Sequence, residues 1–352
     1  MFDNILKAYQ LDPANCSISS FGTGLINNTW KVSNEHGKKY FLLQRINTSV
    51  FKKPENIANN IRLIADYLKK HYKGYLFISP LKTINGDDFI KDENNAYFRL
   101  FPFLTDSYSL NVITDPKQAY EAARQFGLFT RLLSGFDLST LKNTLDDFHN
   151  LTLRYNQFKD SLINGNKERI KKCSPQISFL EKQYSIVEIF ELIKTSPDFK
   201  LRVTHHDTKI SNVLFGPDQK AVCVIDLDTV MPGYFISDIG DMMRTYLPPV
   251  SEESKELDKI EVREVYFEAI VKGYLSEMNT ELTEFEKEHF VYAGKFMIYM
   301  QALRFLTDYL NDDIYYSITY EDQNLVRAEN QICLLKKLEE KEEALCEIVK
   351  GY

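Results

Sequence analysis

The sequence predicts an α+β protein of two lobes, a small antiparallel β lobe over residues 1–103 and a large, mainly helical lobe over 104–352. Three observations carry that expectation. Short β-rich runs broken by turn signals fill residues 16 to about 103. After Pro102 apolar residues recur every three to four positions, the period of a helix laid on a core. One β-rich island, residues 212–226, interrupts the helical half.

The elements follow in order. TWKVS (29–33), KYFLLQ (39–44), YLFIS (75–79), LKTI (81–84), DFIK (88–91) and AYFRLF (96–101) are rich in β-branched and aromatic residues and read as strands. Asn85-Gly86 and the Asp92–Asn95 cluster supply hairpin turns between the last three. One helix interrupts the strands: Pro54 lies near its start, and Ile57, Ile61, Ile64 and Leu68 recur at helical spacing through Lys70. A hinge is expected near 100–104. Residues 116–133 form a helix behind the cap candidates Thr114 and Asp115. Further helical runs cover about 152–164, 177–194, 254–276, 283–309 and 322–349. In the island, NVLF (212–215), a turn at GPDQK and AVCVID (221–226) form a hairpin that ends at Asp226.

Composition narrows the function classes. Hydrophobic residues make up 44% of the 352 positions and charged residues 26%, so the chain can bury a large core. A net charge of −7 argues against nucleic acid or an anionic membrane as partner. The five cysteines are scattered with no CxxC pair, which fits a reducing compartment. MFDNILKAYQLDP lacks the apolar run of a signal peptide and no stretch is apolar enough to span a bilayer, so a cytoplasmic protein is expected, a monomer or weak homodimer.

The chemistry concentrates in VTHHDTKISNVLF (203–215), where His206 precedes Asp207, Lys209 lies two after it and Asn212 five after it. Phosphoryl transfer needs a carboxylate for the acceptor proton, a lysine against the migrating charge, and a carboxamide with a second carboxylate as hard-oxygen magnesium ligands. Asp207, Lys209, Asn212 and Asp226 supply those types in that order, and the hairpin returns the chain from Asn212 to Asp226. Requiring a histidine before the aspartate makes the Asp-x4-Asn pattern roughly fortyfold rarer at ordinary histidine usage. Other readings stand beside this one. Asp207 and Asn212 serve a polar turn equally well taken alone. His205 and His206 as metal ligands are disfavoured, because adjacent side chains diverge in extended backbone and no HxH or HExxH spacing is present.

A second constellation is FGTGLINNTWKV (21–32), which places Gly22 and Gly24 in a turn ahead of a strand that starts near Asn28 and Thr29. No helix follows, so it is not a dinucleotide fingerprint; it fits a β-turn-β flap over phosphates, or an ordinary glycine hairpin. On the next strand Arg45 is the nearest cation for nucleotide phosphates where lysine is usual, with Gln44 as the competing candidate. There is no GxxxxGK[ST] phosphate loop.

HHDTKISN together with VIDLDT resembles the aminoglycoside phosphotransferase and choline kinase superfamily, whose small-molecule kinases share the protein-kinase-like fold. The similarity extends to its N-acetylhexosamine 1-kinase branch through GLINNTWKV (24–32), FLLQRINTSVFKKPENIANNI (41–61), DDFHNLTLRYNQFKDSL (146–162), VIDLDTVMPGYFISDIGDMMRT (224–245) and QALRFLTDYLNDDIYY (301–316). The resemblance implies ATP- and Mg²⁺-dependent phosphorylation of the anomeric hydroxyl of N-acetylglucosamine or N-acetylgalactosamine. It implies Asp207 as base, Asn212 and Asp226 as magnesium ligands, and Asp228 as a second acid on metal or sugar. Arg304 and Tyr315 fall where relatives contact sugar, and Phe101 and Phe103 where adenine meets the hinge. Asp238 and Asp241 are structural acids expected to pair with Arg244. Rival readings are kinases of choline, homoserine, methylthioribose or an aminoglycoside, a kinase-like binding module, and a histidine-metal hydrolase.

Overall fold

The computed structural model describes residues 2–22, 26–34, 37 and 39–352. The chain begins with α1 (Asp3–Ala8), β1 (Cys16–Ser20), β2 (Asn28–Asn34), β3 (Lys39–Arg45), α2 (Pro54–His71), β4 (Ile90–Lys91) and β5 (Tyr97–Pro102). It continues through α3 (Pro116–Leu132), α4 (Leu151–Asn164), α5 (Lys167–Lys172), α6 (Ser174–Lys182), α7 (Ser185–Thr195) and β6 (Arg202–Thr204). The hairpin strands β7 (Val213–Phe215) and β8 (Ala221–Val224) follow. Then come α8 (Phe235–Tyr246), α9 (Glu264–Met278), α10 (Glu284–Glu288), α11 (Phe290–Leu310), α12 (Gln323–Glu340) and α13 (Glu342–Lys350). The chain divides into two compact units, one of residues 1–109, 135–146 and 213–232, the other of residues 110–134, 147–212 and 233–352.

The first unit is built on a five-stranded antiparallel sheet in the order β1-β2-β3-β5-β4. Side chains alternate across a strand, so register sorts them by face. Trp30, Val32, Phe41, Leu43, Phe98 and Leu100 share one face and close a core with Ile5 and Leu6 of α1. Thr29 pairs with Gln44 and Gln44 with Arg99, and Lys31 pairs with Leu42 and Leu42 with Phe101, so these residues share the opposite face. Helix α2 starts with Pro54 in its first turn and buries Ile57, Ile61, Ile64 and Leu68. Its Asn60, fully buried, donates to the carbonyls of Lys142 (2.7 Å) and Val230 (2.9 Å) and accepts from Lys142 N–H (2.9 Å). That clamp fixes the segment that follows β8. The hairpin β7–β8 pairs Val213 with Val224 and joins Tyr108 to Phe215.

The second unit is a helical assembly around α11, which is buried on nearly every side. A helix apolar all round belongs at the centre of a bundle, and α4, α7, α8 and α12 surround it. Helix α3 lies against α9 so closely that a Cβ at Gly273 would strike the Tyr120 carbonyl.

Several expected elements differ. Residues 75–79 and 81–84 form no strand; Leu81 packs against the sheet core and its N–H bonds to the Leu100 carbonyl (2.7 Å). The expected helix over 254–276 begins only at Glu264. The runs 177–194, 283–309 and 322–349 are each two helices, broken at Gln183-Tyr184, His289 and Lys341. Strands β1 and β6 and helices α1, α5 and α8 lie outside the expected set.

Candidate functional site

In the second unit the loop after β6 carries His205 to Asn212. Its shape is set by the acids of α8. Asp238 accepts the backbone N–H of His205 (3.1 Å) and of His206 (2.7 Å), and Asp241 accepts the N–H of Thr208 (2.8 Å). The Thr208 hydroxyl donates to the Asp238 carbonyl (2.7 Å), and the Tyr246 hydroxyl donates to the carbonyl of Thr208. These bonds satisfy the amides of a buried irregular segment, which otherwise cost several kcal/mol in aggregate. Only one of the two acids pairs with Arg244. Asp241 meets it at 2.8 Å, three residues away on one helix face, whereas Asp238 is six residues away and off that face. Burial pushes the Asp238 carboxyl up to about 7, against the pull of the two amides.

His206 holds a left-handed backbone (φ 67°), and its ring Nδ1 lies 3.1 Å from the Thr204 carbonyl. Gly233 makes room for that ring, since a Cβ there would strike Nε2 and reach Cε1 at 2.6 Å. His205 is fully buried against Phe126 and Phe129 of α3, and its Nδ1 accepts the Asp207 N–H at 3.3 Å. It braces the loop. Among the described residues no group of three or more His, Cys, Asp or Glu side chains is placed to hold a metal ion.

Asp207 Oδ2 accepts from Lys209 Nζ (3.0 Å) and from Asn212 Nδ2 (2.9 Å), and the same amide donates to the Asp207 carbonyl (2.9 Å). Burial pushes the carboxyl up, but the charges of Lys209 and His205 and the hydrogen bonds of Lys209 and Asn212 outweigh it and hold the group below the ordinary aspartate value. Asp207 is therefore a carboxylate at neutral pH. With its amide nitrogen committed, Asn212 keeps its carbonyl oxygen as a hard donor.

Beside this loop the His149 ring stacks on Phe148 (4.4 Å) and lies 5.2 Å from the His206 ring. Arg304 lies 5.8 Å from the Phe148 ring and 5.5 Å from the Tyr316 ring, and it donates to Gln301 (3.0 Å). Tyr315 is 70% exposed, 5.9 Å from Arg304. Asp308 sets this turn by accepting the N–H groups of Tyr315 (2.7 Å) and Tyr316 (2.9 Å). Nδ1 of His149, Nε of Arg154 and the Tyr316 hydroxyl are shielded from solvent and have no partner among the described residues. Burial, with the charges of His206 and Arg304, keeps His149 well below the usual histidine range, so it is neutral at pH 7.

In the first unit the second sheet face carries an aromatic end and a polar row. Lys31 lies over Tyr40 (4.2 Å) and Phe103 (4.6 Å), and Phe103 meets Phe21 edge-on (5.7 Å). In the polar row Gln44 donates to Thr29 (3.2 Å) and accepts from Arg99 Nε (3.0 Å) and Nη2 (2.6 Å). Arg99 Nη2 pairs with Asp228 Oδ1 at 2.6 Å, and Asn27 donates to Asp228 Oδ2 at 2.8 Å. Of the two β3 candidates, Gln44 is on this face, while Arg45 is exposed and shares the other face with Asn28. Gly22 has φ +78° and open space at its missing Cβ; Gly24 lies outside the described residues. Asp226 is exposed with a left-handed backbone (φ 60°, ψ 61°), two residues past the end of β8, whereas Asp228 is 1% exposed. Arg99 has one local signal in the sequence, an arginine inside the alternating strand AYFRLF.

The family model described as the phosphotransferase enzyme family matches residues 17–266, and the chain belongs to that family. Its fold is that of the aminoglycoside phosphotransferases and choline kinases. An aminoglycoside phosphotransferase from Alicyclobacillus acidocaldarius superposes with a TM-score of 0.66 at 12% identity, over 99% of this chain and 96% of that one. A choline kinase from Cryptosporidium parvum gives 0.59 at 16% identity, over 100% and 98%. A spectinomycin phosphotransferase solved with ADP and spectinomycin gives 0.58 at 15% identity, over 99% and 97%. Among the described residues no helix is long and apolar enough to cross a membrane.

Proposed function

We propose that the protein is an ATP-dependent kinase that phosphorylates the anomeric C1 hydroxyl of an N-acetylhexosamine, N-acetylglucosamine or N-acetylgalactosamine. The observation that carries the reading is the Asp207–Lys209–Asn212 arrangement, an ionised carboxylate held by a cation and an amide. Asp207 orients the acceptor hydroxyl and takes its proton as the oxygen bonds to the γ-phosphorus, while the bond to the β-bridging oxygen breaks and ADP leaves. A hemiacetal hydroxyl is more acidic than an alkyl alcohol, so a carboxylate held below its ordinary pKa is basic enough. Lys209 offsets charge on the migrating phosphoryl group.

The aromatic end formed by Phe21, Tyr40, Phe101 and Phe103 suits adenine, and the row of Thr29, Gln44 and Arg99 suits phosphates. The family resemblance implies Mg²⁺ on Asn212 and Asp226, and each supplies a hard oxygen of the kind that ion takes together with nucleotide oxygens and water. When bound, Mg²⁺ neutralises charge on the phosphates.

The surroundings of Arg304 support an oxygen-rich, uncharged acceptor. Arg154, Arg244 and Arg304 all act on this cluster, beside the carboxylates of Asp147, Glu252 and Asp308. Arg304, Arg154 Nε and the Tyr316 hydroxyl offer donors to ring hydroxyls and an acetamido carbonyl, and neutral His149 offers a ring nitrogen. The test is Asp207→Ala, for which kcat should fall at least about a thousandfold with ATP binding retained. Turnover near that of the parent enzyme would refute the assignment.

A further inference from the structure

We infer that Arg99, and not a residue of β3, is the cation that meets the phosphates of the bound nucleotide, and that Gln44 and Asp228 exist to hold it there. The inference rests on the nucleotide reading of this sheet face and assigns the residue that does the work. Phosphoryl transfer requires a fixed cation against the nucleotide's phosphates. Strand β3 presents Tyr40, Leu42 and Gln44 on the relevant face, none of them cationic, and its Arg45 points its register position to the other face. Lys31 shares the face but is committed to the rings of Tyr40 and Phe103 at the aromatic end.

Arg99 lies in the polar row itself. It is the register partner of Gln44, 3% exposed, and fixed at three points: Nε and Nη2 on Gln44 Oε1, Nη2 on Asp228 Oδ1, and the guanidinium 5.0 Å from the Phe101 ring centroid. Its Nη1 has no hydrogen-bond partner among the described residues and is absent from the solvent-shielded orphans, so it keeps two N–H donors for a ligand. Burying an ion pair is costly and rarely repays itself in stability alone, whereas a guanidinium held rigid in advance binds an oxyanion without further ordering. Gln44 occupies the strand position where a lysine would stand; here it is the bracket for an arginine from the neighbouring strand. Asp228 Oδ2 accepts from Asn27, and Oδ1 faces Arg99 Nη2 as an ion pair at 2.6 Å without a hydrogen bond, so Asp228 holds the cation by charge.

The test compares binding of MgATP and of adenosine by calorimetry, on the full chain. Arg99→Gln combined with Asp228→Asn leaves no unpaired buried charge. MgATP affinity should fall about 10- to 100-fold, the loss of one or two charge-assisted hydrogen bonds, with adenosine affinity changed by less than about twofold. Adding Gln44→Lys should recover most of the loss by returning a cation to the same face. Should the double variant not fold, Arg99→Lys carries the same test, with a smaller selective loss for MgATP. Parallel losses of MgATP and adenosine, or an unchanged MgATP affinity, would overturn the inference and leave a purely structural pair. Failure of the parent protein to bind MgATP at all would overturn the nucleotide reading, and this inference with it.

Discussion

Replacing Asp238 by alanine should disable the catalytic loop without touching any residue that meets substrate. The carboxylate accepts two buried amide N–H groups, from His205 at 3.1 Å and from His206 at 2.7 Å. Leaving those donors without acceptors costs about 1–3 kcal/mol each. A carboxyl raised to about 7 is itself costly to ionise in the fold, by about 4 kcal/mol at pH 7, which offsets that loss; at pH 4.5 the offset is only about 1 kcal/mol and a net loss of ~3 kcal/mol is expected. For 352 residues that corresponds to a fall in Tm of about 4 °C. The larger effect is on turnover. His206 is in a left-handed conformation immediately before Asp207, and without the two anchoring bonds Asp207 loses its placement. A misplacement of order 1 Å costs about a hundredfold, so kcat should drop by about 10- to 100-fold with the KM for ATP little changed. The raised carboxyl also gives stability a signature in pH. Between about 4 and 7 the folded protein binds more protons at this group than the unfolded chain, so its contribution to stability falls as pH rises through that window, by up to about 1.4 kcal/mol per pH unit. Asp238→Asn, which cannot ionise, should lose that slope. Steady-state kinetics and melting curves from pH 4.5 to pH 8 read all three effects. An Asp238→Ala protein with the parent's kcat and, at pH 4.5, the parent's Tm would refute the reasoning.

Other expectations follow from the same geometry. Asp226→Asn should raise the magnesium concentration for half-maximal rate by about tenfold or more, and an unchanged magnesium titration would assign the metal elsewhere. Arg304→Gln should raise the KM for the sugar by about tenfold while leaving that for ATP in place, because it removes a charged donor from the acceptor cluster. Gly233→Ala should cost about 1–3 kcal/mol and lower kcat by driving the His206 ring from its place; a silent substitution would show that the ring has room to move.

The parts of this structure legible in the sequence are those whose signal is local. The apolar spacing of Ile57, Ile61, Ile64 and Leu68 gives α2, and alternation in KYFLLQ and AYFRLF gives the central strands. Asp207, Lys209 and Asn212 lie within six residues and do meet. What was hidden depends on partners far apart in the chain. Helix α8 reads as a mixed polar segment because Asp238 and Asp241 point into the core, where loop amides receive them. The role of Arg99 depends on Asp228, 129 residues later, and nothing near AYFRLF announces that partner. YLFIS has β composition but is not a strand among the described residues, since composition shows what fits a sheet and not whether an edge is available. The long helical windows conceal breaks at His289 and Lys341 because both flanking helices keep the apolar period across the turn.

The most direct measurement is the product formed from ATP and magnesium across a panel of free sugars, choline and aminoglycosides, with the phosphate located by ³¹P and ¹H NMR. The account predicts ADP release with N-acetylglucosamine or N-acetylgalactosamine and a product whose phosphorus couples to the anomeric proton. Phosphorylation of choline or an aminoglycoside in preference to these sugars, or phosphate at any sugar position other than C1, would contradict it.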